Sequence, residues 1–110
     1  MNYDGKVIAV DFDGNLADDK GEPVMERCDA LRCLVENGVD CYILTSSLQP
    51  YLQEMSGGFA KKYGYDTLRR NIAVWLNKNV TPHDWYITPV KHHKTDLYLD
   101  VNNIGWDDVL

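Results

Sequence analysis

The run Lys6 to Val10 reads KVIAV, apolar and rich in β-branched residues, and it passes without a break into Asp11-Phe12-Asp13-Gly14. A short, wholly apolar run of this kind suits a strand buried on both faces, as in a parallel sheet. It therefore delivers two carboxylates to the carboxyl end of a buried strand. Glu22-Pro23 then opens a helix, with Pro23 suited to its first turn. Val24, Cys28, Leu31, Leu34 and Val35 recur at the helical period, and Asn37-Gly38 supplies the stop. Cys41 to Leu44, CYIL, reads as a second buried strand, which completes a β-α-β unit whose crossover is expected to be right-handed.

Ser46 to Tyr65 is less regular. Tyr51, Leu52, Met55 and Phe59 fit one helical face, but Gly57-Gly58 interrupts it. From Asp66 the helical signal returns: Asp66 or Thr67 suits an N-cap, and Leu68, Ile72, Trp75 and Leu76 form a buried stripe that ends near Asn77 to Asn79. Trp85 to Thr88 and Leu97 to Leu99 are short strand candidates. This alternation of elements predicts an α/β class with three layers around a mostly parallel sheet.

With 110 residues, the chain is expected to form a single domain over residues 1–110. Its formal charge of −6 argues against broad contact with a nucleic-acid backbone or an anionic membrane surface. The opening MNYDGKVIAV has an early acid and a short apolar run, unlike a signal peptide. No apolar stretch approaches the roughly 20 residues of a membrane span. Cys28, Cys33 and Cys41 are odd in number and lack metal-ligand spacing, so reduced thiols in a cytoplasmic protein are expected.

Open parallel sheets bind ligands beyond the carboxyl ends of their strands. Three of the expected strands end in complementary chemistry: Asp11 and Asp13 on the first, Thr45-Ser46-Ser47 on the second, and Asp100 on the last. Converging carboxylates raise one another's pKa unless a cation lies among them. Hard oxygen donors of this kind suit Mg²⁺, which binds through a few carboxylates plus phosphate. The Thr45 hydroxyl is suited to a phosphate oxygen, and a lysine from the Lys91 to Lys94 loop to its charge. Gly14 permits a tight turn after the acids and is expected to leave backbone N–H groups open to an oxyanion.

Strand-D-F-D-G resembles the first signature of the haloacid dehalogenase-like superfamily, and CYILTS and DLYLD are similar to its second and fourth motifs. WLNKNVTPHDWYITPVK looks like the matching segment of small capless members, so the resemblance runs from Lys6 to about Gly105. It implies a three-layer Rossmannoid fold without a large cap domain. It further implies a Mg²⁺-dependent phosphohydrolase that cleaves a small phosphomonoester through an aspartyl-phosphate. Asp11 would be the nucleophile and Asp13 the general acid/base. Gly14, Thr45, Ser46 and Lys91 would bind the phosphoryl group, and Asp11, Asp13 and Asp100 the metal. The stretch between Asp13 and Pro23 is too short for a cap, and Ser46 to Tyr65 holds at most a small lid. Such an open site either accepts a large substrate or is covered by a second copy of the chain in a homo-oligomer.

The chain departs from the family pattern in three places. Asn15 stands where Thr is usual, Val101 follows Asp100 where a second acid is usual, and Lys91 and Lys94 bracket the usual lysine spacing. Lys91 is favoured because it follows the strand and Pro89. The alternative function is a catalytically weakened relative that binds metal or phosphate as a regulatory or interaction module. A signalling receiver domain fits less well, because its phosphoacceptor position at a middle strand is held by Thr45. Simpler roles suit the remaining polar groups: Asp96 as a solvated residue at a strand start, His92-His93 in a solvent-facing loop, and Asp18, Asp19 and Glu22 in a solvated loop. Trp75, Trp85 and Trp106 are expected to pack in or beside the core.

Overall fold

The computed structural model describes residues 3–54, 59–100 and 106. In chain order, β1 is Val7–Asp11, α1 is Met25–Glu36, β2 is Asp40–Leu44, and a 3₁₀ turn spans Ser46–Leu48. Then come α2 (Gln49–Glu54), α3 (Phe59–Asn79), β3 (Ile87–Thr88) and β4 (Leu97–Leu99). The four strands form one sheet in the order β3-β2-β1-β4, with every neighbouring pair parallel. The α/β class and the parallel sheet are therefore as the alternation of elements predicts. No large cap is present among the described residues.

Register places side chains on the two faces. Ile8 pairs with Cys41 and Leu97, and Val10 with Ile43 and Leu99, so these residues share one face. That face carries the main core, where Cys28, Leu31 and Leu34 of α1 and Ile72 and Leu76 of α3 are buried. Leu68 and Trp75 pack against it, completing the stripe predicted for α3. The opposite face carries a smaller cluster of Ala9, Tyr42 and Leu44, flanked by Val7 and Tyr98. Among the described residues no helix packs there.

What crosses that face is the connection from β3 to β4. Tyr42, which points out of β2 on this side, hydrogen-bonds through its hydroxyl to Thr95 Oγ1 and accepts from the His92 amide. The third layer predicted from sequence is thus a loop in this region rather than a helix. Pro89 to Asp96 is too short and too polar to present an apolar helical stripe.

Three boundaries differ from expectation, each for a local reason. Pro23 lies outside α1, because Val24 is the N-cap and Pro23 bridges back to Ala17. Asp66 caps nothing, because α3 begins at Phe59 and runs through it. The third strand is confined to Ile87–Thr88, since Trp85 turns into the core and donates its indole N–H to Asn77 Oδ1 and the Thr81 carbonyl. Among the described helices, none is long and apolar enough to cross a membrane.

Candidate active site

β1 ends at Asp11, and the chain then turns sharply. The Phe12 amide still bonds to the Leu44 carbonyl of β2, while the Phe12 carbonyl collects the amides of Asn15, Leu16 and Ala17. Gly14 makes this turn possible at φ +70°, a conformation that an L side chain resists. Three of the loop's amides thus converge on one carbonyl, which takes them out of the oxyanion donors expected after the acids.

Asp11 is half-buried beside the small Tyr42–Leu44 cluster. Burial, with the carboxylates of Asp13 and Asp100 nearby, raises its pKa from 3.8 to about 6; the Phe12 amide opposes this. Asp13 and Asp100 thus lie within electrostatic reach of Asp11, at the strand ends where the parallel order puts them. Among the described residues no three His, Cys, Asp or Glu side chains already form a metal-holding cluster. The Asp13 carboxylate is engaged by hydroxyls of the β2 end. Its Oδ2 accepts from Thr45 Oγ1 at 2.7 Å, and Ser47 Oγ donates at 3.2 and 3.3 Å to its two oxygens.

Thr45 sits at the end of β2, almost fully buried, and caps the following 3₁₀ turn by accepting from the Ser47 amide at 3.3 Å. A threonine hydroxyl has one proton to donate. Here Asp13 takes it, so Thr45 holds the second acid rather than standing open to a phosphate. Ser46 is exposed on the same turn, and Ser47, part of the expected polar strand end but given no role of its own, reaches Asp13 instead. The T-S-S run at the end of β2 carried the signal.

A cleft of about 410 Å³ opens beside these groups, lined by Asp11, Thr45, Ser46, Gln49, Lys91 and Tyr98 among others. The Lys91 ammonium lies 5.0 Å from the Tyr98 ring centroid, and Gln49 Nε2 bonds to the Pro89 carbonyl at 2.7 Å, tying the lysine's loop to α2. Lys94 faces elsewhere. It lines a cleft of about 470 Å³ with Val7, Asp40, Tyr42, His83 and His92. Val7 and Asp40 begin their strands, so this larger cleft lies toward the sheet end opposite Asp11 and holds none of the strand-end acids.

Asp96 is also at that far end. Its carboxylate accepts from the Val7 amide at 2.8 Å and its amide donates to the Val7 carbonyl, so it joins β4 to the start of β1. His92 and His93 are exposed and stacked on each other, their ring centroids 4.7 Å apart. Trp85 and Trp106 are buried, and Trp75 is packed against the core.

Asn15 is the least expected participant. It is fully buried, and its Nδ2 donates to the carbonyls of Asp11 and Leu99 at 2.7 and 3.1 Å. Its Oδ1 accepts from Trp106 Nε1 at 2.8 Å. The sequence signal was only a departure from a family's usual Thr. Val101, the other departure beside the acids, lies outside the described residues.

No family model, curated protein or solved structure matches this chain.

Proposed function

We propose that the chain is a magnesium-dependent phosphohydrolase of the haloacid dehalogenase-like kind, acting on a small phosphomonoester from the cleft beside Asp11. The observation that carries this reading is the arrangement of the acids. Asp11 is pressed toward protonation by burial and by its neighbours Asp13 and Asp100, while Thr45 and Ser47 hold the Asp13 carboxylate beside it. Carboxylates collected in this way call for a cation. The Asp11 and Asp100 carboxylates with the Asp13 backbone carbonyl form an all-oxygen donor set that fits Mg²⁺. Only two of the side chains are needed, which suits an Asp13 carboxylate already engaged by Thr45 and Ser47. When bound, Mg²⁺ would neutralise the acids and the phosphoryl oxygens together.

The chain's own groups then supply the remaining chemistry. An Asp11 carboxylate oxygen attacks phosphorus as the bond from phosphorus to the ester oxygen breaks. The leaving oxygen takes its proton from Asp13. Water then attacks the aspartyl-phosphate and gives a proton back to Asp13, which releases phosphate and restores Asp11. A phosphoryl oxygen entering the cleft competes with Asp13 for the Thr45 proton, so substrate binding itself frees Asp13 to face the leaving group. Lys91, already in the cleft wall, neutralises the phosphoryl charge, and Ser46 and the Gly14 amide serve its outer oxygens.

A cytoplasmic setting accords with three free thiols, two of them buried. The open cleft suits coverage by a large substrate or by a second copy of the chain. Phosphate release from an aryl phosphate, measured with and without Mg²⁺ on the native chain and on Asp11→Asn, tests the reading. Metal-dependent release that disappears in Asp11→Asn supports it. Absence of release, with Mg²⁺ or phosphate still bound, favours the regulatory binding module instead.

A further inference from the structure

β1 and β4 are paired through Val10 and Leu99, and there the regular ladder stops. The next residue of each strand, Asp11 and Asp100, is an acid of the site. At this point Asn15 stands between the parting strands, with one amide proton on the Asp11 carbonyl and the other on the Leu99 carbonyl. It acts as a side-chain rung added beyond the last backbone pair. The Leu99 carbonyl belongs to the peptide group that leads into Asp100, so this rung fixes the backbone at both acids.

The orientation of the Asn15 amide is not free. Both carbonyls only accept, and the Trp106 indole only donates, so Nδ2 must face the carbonyls and Oδ1 the indole. Arg27 of α1 closes the other side. Its Nη1 donates to the Asn15 carbonyl at 3.1 Å and its guanidinium carbon lies 6.0 Å from the Trp106 ring centroid. A threonine at this position has a single proton and could serve one carbonyl only.

We infer that Asn15, locked by Trp106, is a positioning residue that sets the spacing of the Asp11 and Asp100 strand ends and thereby the affinity for Mg²⁺; this rests on the function proposed above. The brace acts through backbone, so it holds the acids apart at a fixed distance without contributing a ligand. It also offers this chain a source of site rigidity that does not depend on a second acid after Asp100. Groups that orient metal ligands in this way alter affinity about 10–100-fold when lost.

The test uses Trp106→Phe, which removes the indole N–H while keeping an aromatic ring, and Asn15→Thr, which keeps one donor of two. Trp85→Phe is the control. It too deletes a buried indole N–H, here bonded to Asn77 and Thr81 at the end of α3 away from the acids. Mg²⁺ dissociation constants are measured by calorimetry, and melting temperatures are taken without metal. The expected result is an affinity loss of about tenfold in Trp106→Phe and Asn15→Thr, with native affinity in Trp85→Phe at a comparable drop in melting temperature. Native-like Mg²⁺ affinity in both site variants, or an equal loss in Trp85→Phe, overturns the inference and leaves Asn15 a packing residue. Failure of the unaltered chain to bind Mg²⁺ at all overturns the functional reading, and this inference with it.

Discussion

Asp11 lies at the end of a buried strand with two other carboxylates nearby, and its stability effect follows from the sign of its shift. Its pKa is about 6 in the folded chain against a reference value of 3.8. The folded state therefore holds this proton more tightly than the unfolded chain does. The associated stability is present below the reference value and is lost as pH rises through about 6. Asp11→Asn removes that penalty. In metal-free buffer the variant should melt higher than the native chain at pH 7, and the gain should shrink toward pH 4, as followed by thermal unfolding. A gain that is constant across this range would contradict the assigned cause. Added Mg²⁺ opposes the same repulsion, so the acid limb of turnover should move to lower pH as metal is raised.

The lysines separate at the same scale. Lys91 lines the cleft with Asp11, while Lys94 lines the cleft toward the other end of the strands. Lys91→Ala should raise the KM for an aryl phosphate or abolish turnover, and Lys94→Ala should leave it nearly unchanged. Steady-state kinetics on the two variants checks this, and the reversed pattern would refute the placement of the lysine.

At the scale of elements, the junction of β2 with its 3₁₀ turn governs the second acid. Ser47 reaches Asp13 with its hydroxyl but does not line the cleft wall. Ser47→Ala should therefore loosen Asp13 while leaving phosphate binding largely intact. An alkyl phosphate, whose leaving group needs a proton, should lose more turnover than an aryl phosphate, with KM nearly unchanged for both. An equal loss on the two substrates would show that Ser47 acts elsewhere.

The same scale shows why some elements were legible and others were not. β1, β2 and β4 announce themselves as apolar runs that end in polar groups, and α1 carries a clean helical stripe with a glycine stop at Gly38, φ +79°. The start of α3 was not legible: the helical signal reads as returning only at Asp66, whereas the helix begins at Phe59 and has Gly64 inside it. In the fold that glycine is a close approach: a Cβ there would come within 2.8 Å of the Tyr51 ring of α2. Helix propensity thus yielded to packing between helices. Among the candidate site residues, the clustering of Asp11, Asp13, Thr45 and Asp100 at strand ends was expected from the parallel strands alone. The roles of Asn15 and Ser47 were not, because they depend on partners distant in sequence or on turn geometry.

For the whole molecule, a sheet with helices on one described face and a loop on the other has Asp11 lining a cleft at its strand ends. Ligands that bind only the folded state stabilise it by mass action, about 2.7 kcal/mol at one hundred times the dissociation constant. Mg²⁺ should accordingly raise the melting temperature of the native chain, and less so that of Asp100→Asn, in a thermal-shift titration. Identical metal responses in the two would remove Asp100 from the metal site.

The covalent step is the core of the account, and it can be observed directly. The native chain is mixed with Mg²⁺ and an aryl phosphate, quenched in acid during turnover, and its peptides are weighed by mass spectrometry. A phosphoryl group is expected on the peptide carrying Asp11, present only with Mg²⁺, lost once the substrate is exhausted, and absent from Asp11→Asn. Turnover without any phosphoryl group on that peptide, or a phosphorylated peptide that survives Asp11→Asn, would contradict it.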